Sequence, residues 1–189
     1  MTSDRDVSRI AKTLSFGQPV GGLIQLGFVV EDLAAAMAEF TERMSAGPWF
    51  VIRNFAGVDP VYRGSPALAR CDIALGFAGH MQIELIQQLD KHPSVYREKP
   101  PEARFGFHHF GIAARDFDAA ADSYRKAGHQ EAFTAAVPSG GRVVYFDPGG
   151  VLPGMIELIE ADDGLDQMFG AIYQASVGWD GTDPVREAG

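Results

Sequence analysis

Two distant stretches of the chain carry the same alternation of apolar and polar positions. From Leu23 to Val30, successive side chains of an extended strand would point to opposite faces. Ile24, Leu26, Phe28 and Val30 then share a bulky face, and Gln25, Gly27 and Val29 a smaller one. The run ends near Asp32, a residue suited to cap a helix, and helical spacing follows from about Leu33 to Met44. Later the grammar returns: a β-type run from His108 to Ala113, Asp116 as cap, and helical spacing from about Phe117 to Ala127. Gly47-Pro48 and Gly128 are expected to close the two helices. Further strands are predicted over Trp49–Phe55, Ala67–Leu75 and Met81–Gln87, and again over Glu131–Ala136, Arg142–Phe146 and Met155–Ile159. The order β-α-β-β-β therefore occurs twice.

The two copies also agree in their letters. HFGIAARDFDAAADSY, from His109 to Tyr124, lies over QLGFVVEDLAAAMAEF, from Gln25 to Phe40, at an offset of 109 − 25 = 84. This carries Gly27 onto Gly111, Asp32 onto Asp116 and Phe40 onto Tyr124. The tetrapeptide IELI occurs at Ile83–Ile86 and again at Ile156–Ile159. The expected organisation is an extension over 1–20, a first module over 21–89 and a linker over 90–104 containing Pro93, Pro100 and Pro101. A second module over 105–161 and a tail over 162–189 complete it.

Strand parity then selects residues. With the bulky faces under the helices, Gln25 and Glu84 of the first module and His109 and Glu157 of the second point into a common cleft. The adjacent histidines divide by the same rule. His109 matches Gln25 and faces the cleft, while His108 matches the apolar Ile24 and points away, so the pair is expected to share neither a metal nor a proton relay. On that reading His109→Ala removes metal and His108→Ala costs little.

Composition narrows the classes of function. The chain has 189 residues, 46% apolar and 22% charged, the profile of a globular protein with a sizeable core. A formal net charge of −9 argues against nucleic acid or an anionic membrane surface as partner. No apolar run is long enough to span a membrane. The single cysteine, Cys71, excludes an intrachain disulfide and a cysteine-rich zinc site. The polar N-terminus lacks the core of a signal peptide, so a cytoplasmic location is expected.

Two carboxylates, an imidazole and an amide oxygen suit one divalent ion of borderline hardness, such as Zn, Mn, Ni, Co or Fe(II). Four ligands on an octahedral ion leave two positions for water or a substrate with adjacent oxygens, and such an ion can stabilise an enolate. The competing reading is a metal-free cup whose polar groups hydrogen-bond one another. Arg53, Tyr62 and Arg63 lie on segments that could face the cup and hold an anionic group, or could simply be solvated.

These motifs together resemble the vicinal oxygen chelate superfamily, which includes glyoxalase I, methylmalonyl-CoA epimerase, extradiol dioxygenases and bleomycin-resistance proteins. The resemblance covers about Gly22 to Glu160 and rests on the doubled strand-helix phrase, on HHFGI and on the two IELI strands. It implies an α+β fold in which two tandem βαβββ modules form a cup-shaped, eight-stranded mixed sheet around a metal. The ligand order Gln25, Glu84, His109, Glu157 is similar to that of eukaryotic glyoxalase I, which makes Glu157 both ligand and base, with Glu84 the second catalytic carboxylate. The epimerase branch has His and Gln at the first two positions, where this chain has Gln25 and Glu84. Yet the wording from Glu84 to Ile112 looks more like the epimerase branch. The implied activity is a metal-dependent isomerase, epimerase or lyase that abstracts a proton next to a carbonyl or thioester. Its expected partners are a small substrate with vicinal oxygens or a thioester and a second copy in a homodimer. A metal-free binder of the bleomycin-resistance type is the alternative; an extradiol dioxygenase, with two histidines and one glutamate on iron, fits Gln25 poorly.

The tail lies outside the resemblance. Leu165, Phe169, Ile172 and Tyr173 fall at helical spacing. A terminal helix docked on the body, with Trp179 as anchor, is expected in preference to a cap over the cup.

Overall fold

The computed structural model describes residues 13–137, 140–150 and 152–188. The first twelve residues of the expected N-terminal extension lie outside them. The first module runs β1 (Leu23–Val29), α1 (Leu33–Met44), β2 (Trp49–Phe55), β3 (Val58–Tyr62), β4 (Ser65–Pro66), β5 (Cys71–Ala78) and β6 (Met81–Gln88). The second runs β7 (Gly106–Ala114), α2 (Phe117–Lys126), β8 (Gln130–Ala136), β9 (Arg142–Asp147) and β10 (Met155–Glu160). Helix α3 (Asp163–Ser176) and strand β11 (Val185–Glu187) complete the chain.

The strands form one curled mixed sheet in the order β11-β2-β5-β6-β1-β7-β10-β9-β8-β3-β4. Its central eight strands are the two modules, joined where β1 and β7 pair antiparallel. The register there shows the repeat directly. Gln25 lies opposite Gly111 and Gly27 opposite His109, the two pairs that an offset of 84 exchanges. Each module's helix starts at the expected aspartate: Asp32 accepts from the Ala35 N–H at 3.0 Å and Asp116 from the Ala119 N–H at 3.2 Å. Helix α1 stops slightly before Gly47-Pro48, at Ser45, which takes the left-handed conformation.

Three strands beyond the expected eight cover the sheet's edges. Pro60 and Gly64 make the stretch 58–66 read as a loop. It folds instead as the β3–β4 hairpin, turned at Arg63 and Gly64, both at positive φ, and β3 pairs with β8 of the other module. Strand β11 lies parallel to β2 at the opposite edge. The apolar alternation from Ala67 also misplaces β5, which runs from Cys71 to Ala78. The tight turn at Gly79-His80 pairs Ala78 with Met81 and so fixes its register, while Leu68 is left exposed.

Parity largely holds. Leu26, Phe28, Ile83 and Leu85 pack under α1 with Leu33 and Met37, and Ile156 and Leu158 pack under α2 with Phe117 and Ala121. The opposite, concave face carries Ile73, Leu75, Ile86, Val143 and Ile159. Here Leu165 and Phe169 of α3 and Phe16 of the N-terminal segment cover it. The terminal helix is thus a cap over the cup rather than a docked appendage. Trp179 does anchor the tail: its ring lies against Gly47, and its N–H donates to the Thr182 carbonyl at 2.6 Å. Ile24 departs from parity and joins the concave core. It is the extra residue in a register shift between Leu23 and Gln25.

Candidate metal centre

The four residues selected by parity meet. Parallel pairing places Glu84 beside Gly27 and Glu157 beside Gly111, while the β1–β7 pairing sets His109 and Gln25 opposite those same glycines. His109 Nε2 lies 3.2 Å from Glu84 Oε2, 3.2 Å from Glu157 Oε2 and 3.4 Å from Gln25 Oε1. All four are buried, His109 completely. The glycines make room: a Cβ on Gly27 would overlap the His109 ring, and one on Gly111 would come 2.7 Å from Gln25 Oε1. Their recurrence in the repeat therefore has a steric cause.

His108 corrects the expectation from strand alternation. Gly27 pairs with His109 but Phe28 with Phe107, so His108 is the extra residue of a bulge, symmetric with the one at Ile24. The bulge turns its ring toward its neighbour, and the two Nδ1 atoms lie 3.0 Å apart. The Val95 carbonyl, 3.2 Å from His108 Nε2, can only accept a hydrogen bond, so Nε2 carries the His108 proton. Burial, and then the His109 charge, lower the His108 pKa to about 3 and keep this ring neutral. Its Nδ1 must then accept from the His109 Nδ1–H, which leaves His109 Nε2 directed at the carboxylates. The adjacent histidines do share a relay, and His108 sets the tautomer of His109.

A parallel arrangement orients the amide. Gln25 Nε2 donates to Gln82 Oε1 at 2.9 Å, which turns Gln25 Oε1 toward His109. Gln82 shares a strand face with Glu84, so parity could have found it. Tyr145 of β9 sets its ring edge-on to His109 at 5.0 Å. Tyr96 comes from the segment between the modules, where no periodicity marks it; its ring stands edge-on to that of Tyr145, with centroids 6.3 Å apart. Burial, then nearby negative charge, holds both phenols well above their ordinary pKa.

The donor set fits a divalent cation. Glu84, His109 and Glu157 each offer a ligand atom within 4.8 Å of the others. Donors adjacent on one ion, each at about 2.0–2.2 Å, stand about 3 Å apart, close to the separations found here. Although near His109 Nε2, Glu84 Oε2 and Glu157 Oε2 are buried without a hydrogen-bond partner, which is costly unless a cation faces them. Without an ion, burial opposes charge on His109. Glu157 and Glu84 outweigh it and raise the imidazole pKa to about 9. Burial raises the Glu84 pKa, and His109 offsets part of this.

Arg53, Tyr62 and Arg63 are not brought to this centre. Arg53 pairs with Asp72 at 2.8 Å and Glu187 at 3.5 Å on the surface. Arg63 holds Glu98 at 2.9 Å and Asp147 at 3.2 Å, clamping the hairpin to the linker and the second module, with Tyr62 beside it. Among the described residues no helix is long and apolar enough to cross a membrane.

Residues 24–146 match the family model of the Glyoxalase/Bleomycin resistance protein/Dioxygenase superfamily, and the chain belongs to that family. No curated protein is matched by sequence. Among solved structures, methylmalonyl-CoA epimerase from Mycobacterium tuberculosis is similar at 20% identity and a TM-score of 0.56, covering 85% of this chain and 97% of that one. A hypothetical protein from Bacillus halodurans aligns at 15% identity and a TM-score of 0.56, over 75% of this chain and 95% of its own. A variant Streptomyces coelicolor methylmalonyl-CoA epimerase, in complex with 2-nitronate-propionyl-CoA, aligns at 16% identity and a TM-score of 0.52, over 75% and 98%. At these identities the likeness is one of fold.

Proposed function

We propose that this protein is a divalent-metal-dependent isomerase, epimerase or lyase that removes a proton next to a carbonyl. The observation that carries this reading is the pair of buried carboxylate oxygens without hydrogen-bond partners, on symmetry-related strands, flanking His109 Nε2. Gln25, Glu84, His109 and Glu157 would hold the ion. When bound, it would supply a Lewis acid that polarises a substrate carbonyl and lowers the cost of enolate charge. Glu157 is assigned as the proton acceptor, with Glu84 facing it from the other module. A base on each side of a planar enolate allows removal on one face and return on the other, as epimerisation requires. Gln82 and His108 hold Gln25 and His109 in place. The apolar walls and α3 keep the site largely apolar, which strengthens the charge interactions within it.

The test is elemental analysis of protein purified without a histidine tag, followed by a screen of thioesters and α-oxo compounds for solvent-deuterium exchange at the α-carbon. Stoichiometric metal and exchange that stops on chelation support the reading. Undiminished exchange in chelator would make proton abstraction independent of metal, and undiminished ligand affinity in chelator without exchange would favour a metal-free binding cup.

A further inference from the structure

The concave face holds a cavity of about 330 Å³ lined by three of the four candidate ligands. Its floor is Glu84, Glu157 and Gln25, its walls include Ile73, Leu75, Val143 and Ile159, and its roof is Leu165, Met168 and Phe169 of α3. The partly exposed lining residues, Ile52, Phe55, Tyr96, Phe133, Val137, Met168 and Ala188, are all uncharged. Among the described residues, only Glu84 and Glu157 bring formal charge to the lining. The arginines of the same strands are engaged elsewhere: Arg53 with Asp72, Arg142 with Asp118 and Glu160.

We propose that the substrate of this site is a compact, uncharged, largely apolar compound with adjacent oxygens, and not an acyl-CoA or a substrate with a remote carboxylate or phosphate. This rests on the metal-dependent reading above. A divalent ion balances the two carboxylates, leaving the floor close to neutral, so a neutral substrate enters without an unpaired charge. Among the described residues, an additional anionic group would be buried against leucine, isoleucine and phenylalanine with no cation in the lining beside it, which is strongly unfavourable. The cavity volume, at the small end of ligand pockets, suits one ring or a short branched chain. A coenzyme A thioester has a long polar arm bearing several phosphates, and among the described residues the cavity lining offers no cation to receive them. The neutral polar residues of the lining not assigned to the metal, Tyr96 and Tyr145, suit substrate oxygens rather than anions.

The test uses full-length protein loaded with Mn or Zn, its metal content measured in the same sample. Binding by calorimetry is compared for para-methylphenacyl alcohol, para-carboxyphenacyl alcohol and propionyl-CoA; the first two share one chelating end and differ in remote charge. The expected result is that the methyl compound binds at least about tenfold tighter than the carboxylate, the equivalent of about 1.4 kcal/mol, and that propionyl-CoA binds weakest. Met168→Trp, which narrows the cavity, should weaken the methyl compound with metal content unchanged, whereas Met168→Lys should narrow the gap between methyl and carboxylate. Equal or tighter binding of the carboxylate or the thioester overturns the proposal, as does failure of the methyl compound to bind metal-loaded protein. If the protein takes up no metal, the metal-dependent reading fails instead; a methyl-over-carboxylate preference in that protein would then assign the cavity to neutral ligands without catalysis.

Discussion

Replacing His108 separates a ligand-orienting histidine from a bystander. In His108→Ala, the His109 Nδ1–H loses its acceptor 3.0 Å away, in a setting where both rings are buried. Two responses are open to it. His109 keeps its tautomer and leaves a buried donor unpaired, at about 1–3 kcal/mol. Otherwise the neutral ring moves its proton to Nε2, where it blocks the lone pair that faces Glu84 and Glu157. Either route draws on metal binding, and loss of such a supporting partner typically weakens affinity about 10–100-fold, or about 1.4–2.7 kcal/mol. The assay is competition against a chromophoric chelator with Zn and Mn, alongside thermal unfolding of the metal-free protein. His108→Asn, whose amide oxygen can stand near the lost Nδ1, should recover much of the affinity, while a merely space-filling role would not be rescued by an acceptor. Unchanged metal affinity in His108→Ala would refute the tautomer argument and restore the division of labour expected from strand alternation.

Glu157→Gln should retain most of the metal while turnover and α-proton exchange fall by about 10²–10⁴-fold, as measured by mass spectrometry in deuterated buffer; if Glu84→Gln shows this pattern and Glu157→Gln does not, the roles are exchanged. Gly27→Ala should abolish metal binding, because its Cβ overlaps the His109 ring at 1.9 Å; Gly111→Ala, whose Cβ would come 2.7 Å from both Cβ and Oε1 of Gln25, should displace Gln25 and weaken binding while leaving His109 in place, as read by the same chelator competition. The folded-state pKa of His109 in metal-free protein is raised to about 9, above the ordinary value of 6.5, so its contribution to stability is fully present below pH 6.5 and is lost as pH rises through 9. That contribution is on the order of 3 kcal/mol, and a denaturant titration of metal-free protein across this window should show the decline. Metal affinity should move the opposite way over the same window, with release of a proton detectable by calorimetry in two buffers.

The sequence alone determined the modules, their helices and the four inward residues, because each is a local or periodic property. Asp32 and Asp116 cap whatever helix follows them. A strand's alternation sorts Glu84 from Ile83, and a repeat with an offset of 84 makes Gln25 and His109 equivalents. Alternation failed where the chain gains a residue: at Ile24 and His108 the bulges arise from how β1 and β7 meet, and no local pattern encodes that pairing. The hairpin at Val58–Pro66 reads as a loop by its own letters and becomes sheet only because β8 offers an open edge. Tyr96 lies in a proline-rich connection without periodicity and reaches the cavity because the connection folds back over it. The apolar face of α3 was legible, but an amphipathic helix carries no address. The uncovered concave face of the sheet decided where it docked, since that is where its Leu165 and Phe169 leave water.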